Sequence, residues 1–115
     1  MNKLTSPTEV KRLIDHYRFP VRKKLGQNFL VDDNILKMIV EAAQLEKHTK
    51  VLEIGPGFGT LTIALAEQAG QVISIEIDPM LIPILQAALS AYSNIRLIHD
   101  DALKVDYSAL FAPDE

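Results

Sequence analysis

Residues 51–60 read VLEIGPGFGT: a short apolar run that includes one acid, Glu53, and then three glycines at alternate positions, Gly55, Gly57 and Gly59. Glycine lets a chain turn sharply, or lets a ligand come close to the main chain. A strand-like run followed at once by such a loop calls for a nucleotide, a nucleoside-like cofactor or merely a tight turn. The pattern on either side narrows the choice.

Downstream of the loop, TLTIALAEQAG reads as a helix with Leu61 and Leu65 inward and Gly70 as its C-terminal stop. QVISIEI is a second strand, rich in β-branched residues. In DPMLIPILQAALSAY, Asp78 is placed to cap a helix with Pro79 at its first position. Pro83 would clash inside a running helix, which predicts a late start or a kink. NIRLIHD is a third strand, and ALKVDYSALFAPDE a short helical turn and loop. Upstream, SPTEVKRLIDHY carries Ser6 as N-cap, Pro7 and a capping box closed by Glu9. Val10, Leu13, Ile14 and Tyr17 follow at helical spacing. Arg18 to Gly26 is irregular and basic. QNFLVDDNILKMIVEAAQLEKH predicts a turn, a cap at Asp32 or Asp33, and a helix with Ile35/Ile39 and Leu36/Val40 as i,i+4 pairs.

Strands alternating with helices predict an α/β chain: a Rossmann-like fold with a parallel sheet, right-handed connections and helices on both faces. Three strands make half of such a sheet. The strand at 51–54 belongs at its centre, beside a fourth strand that this sequence does not contain. The chain therefore reads as the front part of a larger protein. An exposed sheet edge there predicts self-association. Two regions are expected: a basic N-terminal helix and arm over 1–24, and a partial cofactor-binding domain over 25–115.

The 115 residues carry a net charge of −3 and no cysteine, with 48% hydrophobic residues. That suits one folded domain in a reducing, cytoplasmic setting, with no disulfide and no thiolate metal site. His16, His48 and His99 lie far apart and lack ligand spacing, so no metal is expected. No apolar run approaches a membrane span, so no membrane is expected either. The charge is unevenly placed. Residues 1–24 hold seven Lys or Arg against two acids, whereas 25–115 hold five against thirteen. A basic arm on an acidic body points to a polyanion met by the arm, or to a solvated amphipathic helix.

In a doubly wound sheet, ligands bind beyond the carboxyl ends of the strands. Dinucleotide sites use G-x-G-x-x-G ahead of a helix. Here the spacing is G-x-G-x-G, with Thr60 where the last glycine would fall; Pro56 lacks an N–H, and Glu53 would repel a pyrophosphate. These departures favour a ligand with a cationic end and no phosphate. Glu76, at the end of the second strand, stands where a carboxylate accepts hydrogen bonds from both ribose hydroxyls. Asp78 is the better helix cap, which leaves Glu76 for a ligand. In HDDAL, an acid beside a small residue can accept an adenine amino hydrogen. Glycine loop, ribose acid and base acid at three successive strand ends fit S-adenosyl-L-methionine better than NAD.

With GQNFLVD, EIGPGFGTLT, IEID and DDAL in order, residues 18 to about 107 resemble the ribosomal RNA adenine dimethylases. The resemblance implies a class I methyltransferase acting on N6 of two adjacent adenosines in small-subunit rRNA, and partnership with the pre-ribosomal particle. It implies cofactor contacts at Asn28, Leu30, Gly55, Glu76 and Asp101, with Glu53 ordering the loop or facing the methionyl ammonium. It also implies RNA contact for Arg22, Lys23 and Lys24, while Lys11 and Arg12 lie on the opening helix, ahead of the stretch that the resemblance covers. Macrolide-resistance rRNA methylases are similar, but usually lack the proline in the GPG loop. The family's catalytic Asn-Leu-Pro-Tyr does not occur in this sequence, so the chain alone is expected not to methylate RNA, and no catalytic residue is assigned. A dinucleotide oxidoreductase half-domain and a non-catalytic RNA-binding or ribosome-assembly factor are the competing expectations.

Overall fold

The computed structural model describes residues 11–12, 15–17 and 33–111. Its elements run α1 (Asp33–Ala43), β1 (Lys50–Ile54), α2 (Thr60–Ala66), β2 (Gln71–Glu76), α3 (Leu81–Leu89), β3 (Ile95–His99) and α4 (Tyr107–Leu110). The strands form a parallel sheet in the order β1-β2-β3. The Ser6 cap, Pro7 and Glu9 lie outside the described residues. Of that opening segment, Lys11, Arg12, Asp15 and His16 are helical, and Tyr17 packs against the main core cluster.

Strand β2 is central, and all of it except Gln71 is buried. Its run of Val, Ile and Ser suits a parallel strand covered on both faces, where alternation disappears. Side chains alternate across a strand, so Val72 and Ser74 share one face with Val51, Glu53, Ile95 and Leu97, their neighbours in register. Helices α2 and α3 both pack on this face. Ile63, Leu81, Ile84, Leu85 and Leu89 form one cluster with Phe58, against which Ile95 and Leu97 rest. Leu65, Ala66 and Ala69 form another around Val72, joined by Val40, Leu61 and Val51.

Helices α2 and α3 thus share one face of the sheet. Two crossovers that step the same way across a sheet, each right-handed, must lay their helices on one side. On the opposite face, Ile73 and Ile75 are 1% and 2% exposed, while Leu52 and Ile54 on β1 are 37% and 60% exposed. Strand β1 forms an edge of the sheet among the described strands.

Two local readings change, Gly70 as helix stop and Asp78 with Pro79 as the opening of α3, while the late start is borne out. Helix α2 ends at Ala66, four residues before Gly70, so Gly70 does not stop it. A Cβ on Gly70 would stand 2.0 Å from the Lys47 carbonyl oxygen, so glycine is required there for close backbone approach. The end of α2 is met instead by Asn94, whose Nδ2 donates to the carbonyls of Ala66 (2.8 Å) and Ala69 (3.2 Å). Unpaired carbonyls at a helix end need such partners. Helix α3 starts late, as Pro83 requires: it opens at Leu81, which leaves Pro83 in the first turn, where no intrahelical N–H is lost. Asp78 braces that start from outside, its Oδ1 accepting the Met80 N–H at 2.9 Å and its carbonyl the Leu81 N–H at 3.1 Å.

Gln44 follows α1 with φ of 50°, the only non-glycine in the left-handed region among the described residues. Gln44→Gly removes that strain and is expected to raise stability by about 0.5–1 kcal/mol. Asn94→Ala strands two carbonyls and is expected to lower it by about 1–2 kcal/mol. Urea unfolding followed by far-ultraviolet circular dichroism checks both, and a shift of either midpoint in the opposite direction contradicts these assignments.

Candidate functional site

The parallel register decides where the loops begin. Ile54 lies opposite Ile75, and Glu76 opposite His99, so all three strands finish within a residue or two of one line. The Gly55 N–H continues the ladder to the Ile75 carbonyl at 2.9 Å, and the Asp100 N–H does the same to the Glu76 carbonyl at 3.1 Å. Gly55, Glu76 and Asp101 are therefore brought to one rim of the sheet. Asn28, Leu30, Arg22, Lys23 and Lys24 lie outside the described residues.

The glycines divide the work of the loop. Gly55 has φ of 73°, and a Cβ there would meet nothing within 4 Å, so its bare backbone faces open space. Gly59 has φ of 90°, and a Cβ there would stand 3.0 Å from Leu89 Cδ2, so it admits α3. Between them Phe58, 2% exposed, drives the loop into the core. The loop is thus anchored on one side and open on the other.

Glu53 sits beneath this loop and is 8% exposed. Its Oε1 accepts hydrogen bonds from Thr62 Oγ1 on α2 and from Ser74 Oγ on β2, the latter at 2.9 Å. One carboxylate oxygen thereby fastens β1, β2 and α2 together at the loop's root, which supports its expected part in ordering the loop. Burial pushes its proton affinity above the ordinary carboxylate range; the two hydroxyls pull against this, and the nearby Glu76 carboxylate adds to it. Ser74, the lone polar residue inside an apolar strand, was the available signal for this clamp, which sequence reading missed.

Glu76 is 5% exposed. The expectation that Asp78 leaves it free needs correction: Oε2 accepts the N–H groups of Ile77 (2.9 Å) and Asp78 (3.0 Å) and so shapes the turn into α3. Asp101 behaves alike, its Oδ1 accepting the Leu103 N–H at 2.9 Å. In all three acids one oxygen holds the fold. No described residue donates a hydrogen bond to Glu53 Oε2, Glu76 Oε1 or Asp101 Oδ2. Such a rim presents several acceptors and a partial negative charge, which matches hydroxyl, amino and cationic groups rather than phosphates. Among the described residues no group of His, Asp or Glu could hold a metal ion, and no helix is long and apolar enough to cross a membrane.

The family model for ribosomal RNA adenine dimethylases matches residues 18–112. The chain belongs to that family. Similar curated proteins include the ribosomal RNA small subunit methyltransferase A of Macrococcus caseolyticus, 50% identical over 108 residues, 94% of this chain and 36% of that protein. The chain spans little more than a third of the length of such relatives. Among solved structures, the 23S rRNA methyltransferase ErmE is 44% identical with a TM-score of 0.65, covering 69% of this chain and 32% of that one. A dimethyladenosine transferase from Plasmodium falciparum is 35% identical with a TM-score of 0.60, covering 65% and 28%. The fold is accordingly that of the class I methyltransferases, and the sheet described above is its N-terminal part. The family model begins at residue 18, whereas likeness to the small subunit methyltransferase A of Alkaliphilus metalliredigens, 49% identical, runs over 97% of this chain and so takes in most of the basic arm.

A carboxyl that binds its proton more tightly folded than unfolded contributes stability at low pH, and this is lost as pH rises above the ordinary value near 4.5. Glu53→Gln keeps an acceptor for both hydroxyls and removes the titration. It is expected to be more stable than the parent at pH 7, with a flatter dependence between pH 4.5 and 7.5. Urea unfolding across that range checks it, and a variant less stable at pH 7 with an unchanged slope contradicts it.

Proposed function

We propose that this chain is the cofactor-binding part of an S-adenosyl-L-methionine-dependent adenine N6,N6-dimethyltransferase acting on small-subunit ribosomal RNA. The observation that carries the reading is the rim itself: Gly55 open to solvent beside Glu76 and Asp101, each with one carboxylate oxygen unengaged by described residues. These residues fit the group. Gly55 lets an adenosyl moiety approach the main chain, Glu76 accepts both ribose hydroxyls, and Asp101 accepts the adenine amino hydrogen. Asn28 and Leu30 complete the contacts from the preceding segment. Glu53, its Oε1 held by two hydroxyls, faces the methionyl ammonium with the negative charge that its site leaves available.

When bound, the cofactor supplies a methyl group activated on a sulfonium. The chain's own residues orient it and keep its electrostatic surroundings negative, so their contribution to the reaction is positioning and charge placement. The sequence contains no Asn-Leu-Pro-Tyr to hold a target amine, and we place methyl transfer beyond the reach of these 115 residues alone. RNA is met by the arm, through Arg22, Lys23 and Lys24, in the cytoplasm and on the pre-ribosomal particle. The exposed β1 edge, with Leu52 and Ile54, favours self-association of the chain in isolation. Small-subunit RNA is preferred over large-subunit RNA as substrate because curated relatives near 50% identity carry the small-subunit name, and because Pro56 stands in the GPG loop.

Calorimetric titration tests the cofactor assignment. S-Adenosylhomocysteine is expected to bind, and Glu76→Ala to weaken it at least tenfold, since hydrogen bonds to a charged group contribute roughly 1.5–3 kcal/mol each. NAD binding tighter than S-adenosylhomocysteine would overturn the reading. In the full-length protein, neutralising Arg22, Lys23 and Lys24 together is expected to flatten the salt dependence of RNA binding by about two to three units of log–log slope. An unchanged slope returns them to a solvated face.

A further inference from the structure

The loop after β3 contains a linkage that the cofactor reading does not use. Residues 100–106 join β3 to α4, and the tip is unpacked: Leu103 is 94% exposed and Lys104 is exposed as well. Within the turn the hydrogen bonds are short-range. The Asp101 N–H donates to Asp100 Oδ1 at 2.7 Å, and the Lys104 N–H to the Asp101 carbonyl at 2.9 Å. From beyond the turn comes the Tyr107 hydroxyl, half-buried at the start of α4, which donates to the Ala102 carbonyl at 2.5 Å.

The carbonyl of Ala102 and the N–H of Leu103 are two ends of one peptide group, which is planar and moves as a unit. One end accepts from Tyr107; the other donates to Asp101 Oδ1. The relay runs from the phenol, through a single peptide plane, to the carboxylate. Fixing the carbonyl fixes the direction of the N–H, and that N–H selects the carboxylate's orientation. Hydrogen bonds in series also polarise one another. Helix α4 holds the tyrosine in turn: Asp106 caps it, with Oδ1 accepting the Ala109 N–H at 3.3 Å, and the Phe111 N–H bonds the Tyr107 carbonyl at 3.1 Å.

We infer that Tyr107 is a positioning residue for Asp101, setting the carboxylate's aim through the peptide between Ala102 and Leu103 and thereby the chain's preference for a 6-amino purine over a 6-oxo purine. This rests on the cofactor reading given above. Tyr107→Phe keeps the ring and removes only the relay.

The test is a pair of calorimetric titrations, S-adenosylhomocysteine against S-inosylhomocysteine, on the parent chain and on Tyr107→Phe. The ratio of the two affinities does not depend on how much of the variant is folded, so modest destabilisation leaves it readable. The parent is expected to prefer the adenosyl ligand about tenfold or more, the weight of one hydrogen bond to a charged group. Tyr107→Phe is expected to cut that preference at least about threefold through loss of adenosyl affinity alone, a fraction of the same bond. If the parent discriminates and the variant discriminates equally, or loses both ligands in proportion, the positioning role is overturned while the cofactor reading stands. If the parent binds neither ligand or binds both alike, the assignment of Asp101 falls and the role of Tyr107 falls with it.

Discussion

Parallel pairing in one register, Ile54 against Ile75 and Glu76 against His99, is the constraint from which the site follows. It ends three strands on one line, so the residues just past them share a rim although 46 positions separate Gly55 from Asp101. Register in a sheet is enforced by burial, since a slip of one residue turns every side chain to the other face. Here a slip of β1 would carry Glu53 away from Ser74 and Thr62 and present Leu52 or Ile54 to the helical face. The clamp on Glu53 and the packing of Val51 and Val72 therefore select the same alignment that gathers the rim.

The acids of this rim hold the fold with one oxygen each and, in the function proposed above, meet the ligand with the other. Glu53 joins two strands and a helix, Glu76 shapes the turn into α3, and Asp101 closes the turn toward α4. Each does so with one oxygen. This division explains how carboxylates can be 5% and 8% exposed without an ion-pair partner among the described residues: hydroxyl and backbone N–H donors offset part of the desolvation. It also keeps the loops ordered before any ligand arrives, so less ordering is needed on binding. The anchor of Phe58 under the glycine loop acts in the same direction.

Much of this was legible in the sequence, because strong signals sit where the fold is simple. Strands at 51–54, 71–76 and 95–99 announced themselves by composition, and Pro83 announced the late start of α3. The acids at strand ends were legible because position along a parallel strand maps directly onto position along the rim. The contacts that fix the loops were not, since they join residues far apart in sequence. Asn94 bonds back to Ala66, and Gly70 owes its identity to a carbonyl 23 positions earlier. Ser74 and Thr62 look unremarkable until Glu53 is buried between them. That α2 and α3 share a face follows from strand order, since strand order, not the alternation of elements, decides the side on which each crossover lies.

The central claim is that one ligand touches all three strand ends at once. Amide chemical-shift mapping of the isotope-labelled chain with S-adenosylhomocysteine tests it most directly. Concerted shifts at Gly55, at Ile77 and Asp78 beyond Glu76, and at Leu103 beyond Asp101 are what this account predicts. Shifts confined to the groove between α1 and α2, around Leu36, Val40 and Ala64, with those amides unmoved, would contradict it.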